Sequence, residues 1–517
     1  MIEPQQHGKA VPLVKDTSAV LAFDMGASSG RALIGEIIPQ EQGEPGLLKI
    51  TEIHRFPNVP VQIGNHLHWN IASLFQEVKH GIKKAFQSGY RPESYGMDTW
   101  GVDFGLIDRN GELAGIPYHY RDNQTAGMVE ETCAQVGRQR LFEESGLEFM
   151  PFNTIYQLNA MVKANSPLLE IADKLLLTPD LMHYFLTGQQ VCEFTMATTT
   201  QLYHVRDRKW NVPLMEELGL RPSMFLDPVD PGTVIGVLRE EVCRELNVPA
   251  IRGIAVASHD TESAVVAVPA ESETFAYLVC GTWSLLGTEL KDPLIHPDVL
   301  DLEFSNEGGA YGTFQLLKNI MGLWILQECK RQWDAEGEVY SFAELVELAQ
   351  ASAAFRAFID PDDLRFMNPP DMTASILEYC RETGQSEPGS KGEIVRCILE
   401  SLALRYREVM ERMEQLTGQT YAGLHMVGGG IQNELLCRFT ANALGRTVWA
   451  GPVEASAIGN MVVQFIANGV IRDRKEGMEL VKRSFPISAY EPESRQEWDA
   501  AYERYREIAG RMRLKHP

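Results

Sequence analysis

Short apolar runs broken by small polar residues open the chain: Val20 to Phe23, then Ala32 to Ile38, with Asp24-Met25-Gly26-Ala27-Ser28-Ser29-Gly30-Arg31 between them. Runs of that length predict strands at 18–24, 31–38 and 47–54, the first two closed into a hairpin, then a helix over 71–88. Tyr95 to Ile107 reads as strand, polar break and strand, and 125–165 as helical. After the apolar run Leu175 to Leu177, Thr178 is expected to cap a helix with Pro179 in its first turn and Gly188 past its end. Ile254 to Ala257 predicts a buried strand entering Ser258-His259-Asp260-Thr261, with a helix from about Glu262.

The opening theme recurs half a chain later. Tyr277 to Cys280 is apolar, Gly281-Thr282-Trp283-Ser284 is a small polar turn, and Leu285 to Leu290 is apolar again. A strand–turn–strand unit repeated at this distance predicts two domains of related fold facing each other, the second turn the shorter. Helices are expected over 313–333 and 341–356. The stripe Ile394, Ile398, Leu402, Val409, Met413, Leu416 marks the clearest helix, with a capping box at Ser390 and Glu393. Leu424 to Val427 and Val448 to Ala450 read as strands, the first entering Gly428-Gly429-Gly430 and a helix from Ile431. A final apolar helix is expected over 461–468, then a charged surface helix.

A chain of 517 residues exceeds one core. The expected division is a loose leader (1–17), two domains (18–262 and 263–475) and a charged helical tail (476–517). The formal net charge of −23 argues against nucleic acid or an anionic membrane as partner. The N-terminus has no apolar core of a secretory signal, and no run is long enough to span a bilayer, so the expected compartment is the cytoplasm. The eight cysteines show no CxxC or CxxxC spacing, which fits free thiols; Cys380 and Cys397, the one pair near in sequence, are expected reduced.

Five polar clusters end apolar strands: Asp24–Arg31, Asp98–Asp103, His259–Thr261, Gly281–Ser284 and Gly428–Asn433. In α/β sheets ligands bind off strand ends. Glycine and serine let backbone N–H groups approach an anion, which suits phosphate, and Asp24 beside them suits a hydrated divalent cation. Because strand follows the turn, neither a P-loop nor a dinucleotide-binding turn fits. An ordinary glycine-rich hairpin is the competing reading. Asp260, between a buried strand and a helix N-terminus, is the candidate general base; helix capping is its alternative. His259 suits a hydrogen bond to a substrate hydroxyl or a structural role. Glu262, if it faces the site, would raise the base's pKa by like-charge repulsion. Trp100 with Gly101 and Asp103 suits a sugar, an aromatic face beside hydroxyl-binding carboxylates, or else a core tryptophan. Asn319 and Gln327 fall roughly on one face of the helix expected over 313–333.

Together these motifs resemble the FGGY carbohydrate kinases, and within them the subgroup acting on L-rhamnulose. The subgroup is marked by Arg55-Phe56, His119-Tyr120-Arg121-Asp122, Pro151-Phe152-Asn153-Thr154, Asn306-Glu307-Gly308-Gly309 and Lys318 to Trp324. The match runs in order from about 19 to 470. It implies an α/β fold of two ribonuclease-H-like domains of the actin and hexokinase type, with ATP and sugar in the cleft between them. It places the catalytic aspartate at Asp260 and ATP contacts at Ala27, Ser28, Ser29, Gly30, Arg31, Thr282, Gln327 and Gly429. Sugar contacts fall at Gly101, His259, Asp260, Thr261 and Asn319, and Mg²⁺ is expected at Asp24. The implied reaction is phosphorylation of a ketose at its 1-hydroxyl by a monomer or homodimer, with L-fuculose or L-xylulose as alternative sugars. A non-catalytic sugar sensor and an actin-type ATPase are the other classes; retained Asp24 and Asp260 argue against the first.

Overall fold

Strand β1 (Ala19–Met25) buries all seven of its residues because it has neighbours on both sides and cover on both faces. The computed structural model describes residues 18–40 and 45–515; the leader expected over 1–17 lies outside the described residues. β1 pairs antiparallel with β2 (Ser29–Ile38), which pairs antiparallel with β3 (Leu47–Pro57). On its other side β1 runs parallel to β4 (Ser94–Thr99). Beyond β4 come β5 (Val234–Val237) at the edge and β6 (Arg252–Ile254) between them, giving the order β5-β6-β4-β1-β2-β3.

The second sheet repeats that plan. β7 (Ala276–Cys280) pairs antiparallel with β8 (Trp283–Leu290), and two further strands, β9 (Ser305–Gly308) and β10 (Phe314–Met321), continue that side. On the other side β7 runs parallel to β11 (Gly423–Val427) and β11 parallel to β12 (Thr447–Ala450); β13 (Ser488–Tyr490) closes the edge. A central strand with an antiparallel hairpin on one side and parallel neighbours on the other thus occurs twice, as the repeated sequence unit predicts. The shorter second turn is also present: Gly281 and Thr282 join β7 to β8, whereas Gly26, Ala27 and Ser28 join β1 to β2.

The lobes meet through two helices, α1 (Asp260–Val266) and α4 (Ala455–Ala467), with α2 (Trp324–Ala335) and α3 (Lys391–Thr417) lying between them in sequence. Gly459 makes the meeting possible: a Cβ there would stand 1.7 Å from the Ser263 carbonyl oxygen. α4 also satisfies buried polar groups of the first sheet. Asn460 donates to Asp98 Oδ2 at 2.7 Å, Gln464 donates to the Leu21 carbonyl at 3.1 Å, and Ser94 donates to Gln464 at 2.7 Å. Buried polar groups so placed specify one docking of the lobes, since any other leaves them unpaired. An insert covers one side of the first lobe, with Phe104–Asp108 paired to Ala172–Leu177 and helices packed around them.

Several expectations are corrected. Residues 314–321 form strand β10, not the start of a helix over 313–333; helix begins only at Trp324. The strand is paired on both sides and seven of its eight residues are buried, Gln315 and Lys318 among them, so apolar and polar positions do not alternate and periodicity does not separate it from a buried helix. Asn319 and Gln327 therefore share no helix face. The stretch 125–165 is three helices (Met128–Val136, Arg138–Ser145, Thr154–Lys163), interrupted at Gly137 and Gly146, both at positive φ. Thr178 is the first helical residue rather than the cap, and its hydroxyl donates to the Asp103 carbonyl at 3.1 Å. α1 starts two residues before Glu262, and α4 six residues before 461. At the start of α3, Ser390 caps as expected, but Glu393 accepts from Gly389 rather than from Ser390; Ser341 and Glu344 make the complete box. The closing helix α5 (Arg495–Lys515) is no simple surface helix: it buries Trp498, Tyr502, Tyr505 and Met512 in the second lobe's core. Among the described residues no helix is long and apolar enough to cross a membrane.

Candidate active site

The two hairpin turns face each other across a cavity of about 300 Å³. All five strand-end clusters contribute to its walls: Asp24, Gly26, Ala27 and Arg31; Trp100 to Val102; His259 to Thr261; Cys280 to Trp283; and Gly428 with Gly429. Ser28 and Ser29 stand exposed at the turn, and Gly30 packs under Phe56, where a Cβ would come within 2.3 Å of the ring. Gln327 lies behind the second hairpin, where its Oε1 accepts from the Thr282 hydroxyl at 3.3 Å.

Three carboxylates gather at one strand end of the first lobe, Asp24 and Asp260 in the cavity wall and Asp98 buried behind them. The parallel register of β1 and β4 sets Asp24 directly beside Asp98, and the bridge between Thr99 and His259 brings Asp260 to the same strand end. Asp98 Oδ1 is buried with no partner. Burial, and then the neighbouring Asp24, push Asp98 well above the usual carboxylate range. Burial raises Asp260 to about 6, opposed by His259 and helped by Asp24. Asp24 is ion-paired with Arg31, which also reaches Glu454 of the second lobe. Oxygen donors suit a hard divalent cation, which Asp24 would hold through water, because the three carboxylates do not converge closely enough to chelate it directly. Asp98 is the member that strand-end reading alone did not single out; its register with Asp24 is the signal.

The sugar-side expectations divide. Trp100 forms wall as expected, but Asp103 is fully buried and binds no hydroxyl. It accepts from Trp100 Nε1 at 2.9 Å, Trp69 Nε1 at 2.5 Å and Gln157 Nε2 at 2.8 Å, while burial lifts it to about 7. Its role is to hold the aromatic wall, where Trp69 and Trp100 lie 4.0 Å apart. Tyr120, Phe152 and Trp283 extend that wall across to the second lobe. Glu262 is buried beside His259 with both oxygens unpartnered, and the like charge that helps raise Asp260 comes from Asp24. His259 receives its backbone support from Thr195, whose hydroxyl oxygen accepts from the His259 N–H at 3.1 Å and in turn donates to Glu193. Asn319, reached by β10 rather than by helix, points its amide at Glu148, which also accepts from Lys318 at 3.0 Å. Glu148 and Glu307 both line the cavity, and no spacing in the sequence marks either as wall.

A cleft between two like-folded lobes, with glycine turns on both walls and Asp24 and Asp260 beside the first, suits phosphoryl transfer between a nucleotide and an alcohol. Comparison with known proteins agrees. Residues 19–267 match the N-terminal domain, and residues 276–468 the C-terminal domain, of the FGGY family of carbohydrate kinases. The chain is 44% identical to a rhamnulokinase of Bacteroides thetaiotaomicron over 93% of this chain and 97% of that protein. A rhamnulokinase of Oceanobacillus iheyensis is 42% identical over 91% of this chain and 97% of its own. Among solved structures, a xylulose kinase from Lactobacillus acidophilus shares the fold with a TM-score of 0.77 at 15% identity, covering 95% and 97% of the two chains. A glycerol kinase from Plasmodium falciparum follows with a TM-score of 0.71 at 13% identity, covering 95% and 98%. The chain belongs to the FGGY family of carbohydrate kinases and is an ATP-dependent sugar kinase.

Proposed function

We propose that the chain transfers the γ-phosphoryl group of ATP to the 1-hydroxyl of L-rhamnulose, giving L-rhamnulose 1-phosphate and ADP, in the cytoplasm as part of L-rhamnose catabolism. The observation that carries the choice of sugar is nearly full-length identity above 40% to two rhamnulokinases.

Asp260 is the general base. It takes the hydroxyl proton while that oxygen forms its bond to the γ-phosphorus and the bond to the ADP oxygen breaks in line. His259 and Thr261 flank the base and hold the sugar. Gly101 lines the cavity beside Trp100 with its backbone free to meet the sugar, and a Cβ there would crowd Thr199 at 3.2 Å. Asn319 has its amide N–H engaged by Glu148, which leaves Oδ1 to accept from a sugar hydroxyl. The turn of Gly26, Ala27 and Arg31 meets the phosphates from one side, and Thr282 from the other; Gln327 and Gly429 lie on the adenosine side. Mg²⁺ held by Asp24 with Asp98 beside it would neutralise charge on the phosphates. The closed aromatic wall excludes water, which otherwise competes as acceptor.

Sugar-dependent ADP release across L-rhamnulose, L-fuculose, L-xylulose, D-xylulose and glycerol tests the reading. The highest kcat/KM is expected with L-rhamnulose; a clear preference for another ketose would reassign the substrate, and no release with any sugar would end the proposal.

A further inference from the structure

Behind the sugar wall lies a second group of ligating side chains that the transfer reaction does not use as a set. His259, Glu262 and Glu307 are all buried, and one ligand atom from each lies within 4.8 Å of the others. They come from three places: the end of the strand-like segment after β6, helix α1 of the first lobe, and β9 of the second. Four of their polar atoms lack partners: both Glu262 carboxylate oxygens, Glu307 Oε2 and His259 Nδ1. His259 Nδ1 comes within 3.0 Å of Glu307 Oε2, yet the two are not aligned as a hydrogen bond.

The surroundings deepen the charge deficit. Glu193 and Glu289 are near neighbours, and the one nearby arginine, Arg474, is already paired with Glu289. Among the described residues no lysine or arginine pairs with Glu262 or Glu307. Directly across from Glu307 in the β9–β10 register stands Gln315, whose buried Oε1 also lacks a partner. His259 balances Glu307 only when it is protonated, and Glu262 has no partner at all; buried carboxylates so placed are costly unless they are protonated or bind an ion. The arrangement of one imidazole nitrogen and two carboxylates matches the latter.

We propose that His259, Glu262 and Glu307 form a second divalent-cation site, separate from the Asp24 carboxylates, that takes a borderline ion such as Zn²⁺ or Mn²⁺. Imidazole nitrogen beside carboxylate selects such ions over Ca²⁺ and Mg²⁺, which prefer oxygen alone. An ion with bonds of about 2.1 Å in tetrahedral geometry spaces its ligands roughly 3.4 Å apart, so the three atoms reach it by small side-chain rotations. Its two charges balance the two carboxylates. Binding at His259 Nδ1 keeps the ring proton on Nε2, the nitrogen that faces Asp260 at 3.7 Å. The ion also ties α1 of one lobe to β9 of the other.

The test uses whole enzyme stripped of metal, with neither sugar nor nucleotide present, so its outcome is independent of which sugar is phosphorylated. Mn²⁺ binding is followed by electron paramagnetic resonance and Zn²⁺ binding by competition with a chromophoric chelator. Wild type is expected to bind one equivalent. Glu262→Gln is expected to weaken that binding by at least roughly 100-fold, beyond what changes outside the ligand set cause, and Asp24→Asn to leave it in place. Circular dichroism and ATP binding confirm that the variants fold, with Glu307→Gln as a second variant if Glu262→Gln does not. Wild type that binds no ion without nucleotide overturns the proposal, as does binding lost in Asp24→Asn but kept in Glu262→Gln.

Discussion

The two glycine hairpins share a plan and differ in how they are held. In the first, the Gly26 N–H donates to the Ser29 carbonyl at 2.9 Å; in the second, the Gly281 N–H donates to the Trp283 carbonyl at 2.9 Å. The first hairpin carries charge, with Arg31 bound to Asp24 and to Glu454 across the cleft. The second carries only neutral polar groups and is pinned by backbone: Leu323 N–H donates to the Gly281 carbonyl and Trp324 N–H to the Thr282 carbonyl, both at 3.1 Å. One wall thus supplies ionisable groups whose pairing phosphate and cation are able to rearrange, while the other is a preset surface. Chemistry is expected to depend on the first and nucleotide affinity on the second.

Asp260→Asn gives the largest expected effect, about a 10³-fold loss of kcat with ATP affinity retained; near-wild-type turnover in a steady-state assay would remove Asp260 as base. Gly459→Ala tests the docking that keeps the two walls opposed. Its Cβ meets the Ser263 carbonyl, and about 3 kcal/mol of destabilisation is expected in urea unfolding. Thr282→Val sharpens the contrast: a rise of roughly 10-fold in the KM for ATP is expected with kcat nearly unchanged. An equal loss in kcat would erase the division between walls. Acid titration follows, since Asp260, raised to about 6 by burial, serves only when ionised. kcat/KM is expected to fall roughly 10-fold per pH unit below about 6, and a flat profile down to pH 5 would contradict it. Smallest is Glu454→Gln, which frees one side of Arg31. A change of about 3-fold in the KM for ATP is expected, shrinking modestly as salt is raised because the pair is only partly buried and still screened.

Much of the second lobe's cavity wall was hard to read for one physical reason. β10 is buried along nearly its whole length, Gln315 and Lys318 included, so Phe314 to Met321 carries no alternation and reads on into the true helix that follows Gly322. Asp103 misled differently. A carboxylate beside a tryptophan and glycine reads as a sugar ligand, but its oxygens are taken up by Trp69 and Gln157, far off in sequence. Glu148 sits in a loop where no pattern marks it, and Glu307, on an edge strand, is marked only by the family resemblance of Asn306 to Gly309 and not by periodicity.

The repeated strand–turn–strand unit, the order of the strand-end clusters and the position of Asp260 at a helix N-terminus are local properties of the chain. Neighbouring side chains set them, through spacing, backbone freedom at glycine and the alternation of apolar and polar positions, and they are legible without coordinates. Which carboxylates stand together is not local. Asp24 meets Asp98 through strand register, Arg31 meets Glu454 and Asp98 meets Asn460 through the docking of two lobes, and burial then does most to raise Asp260 to about 6, while Glu262 is left buried without a partner.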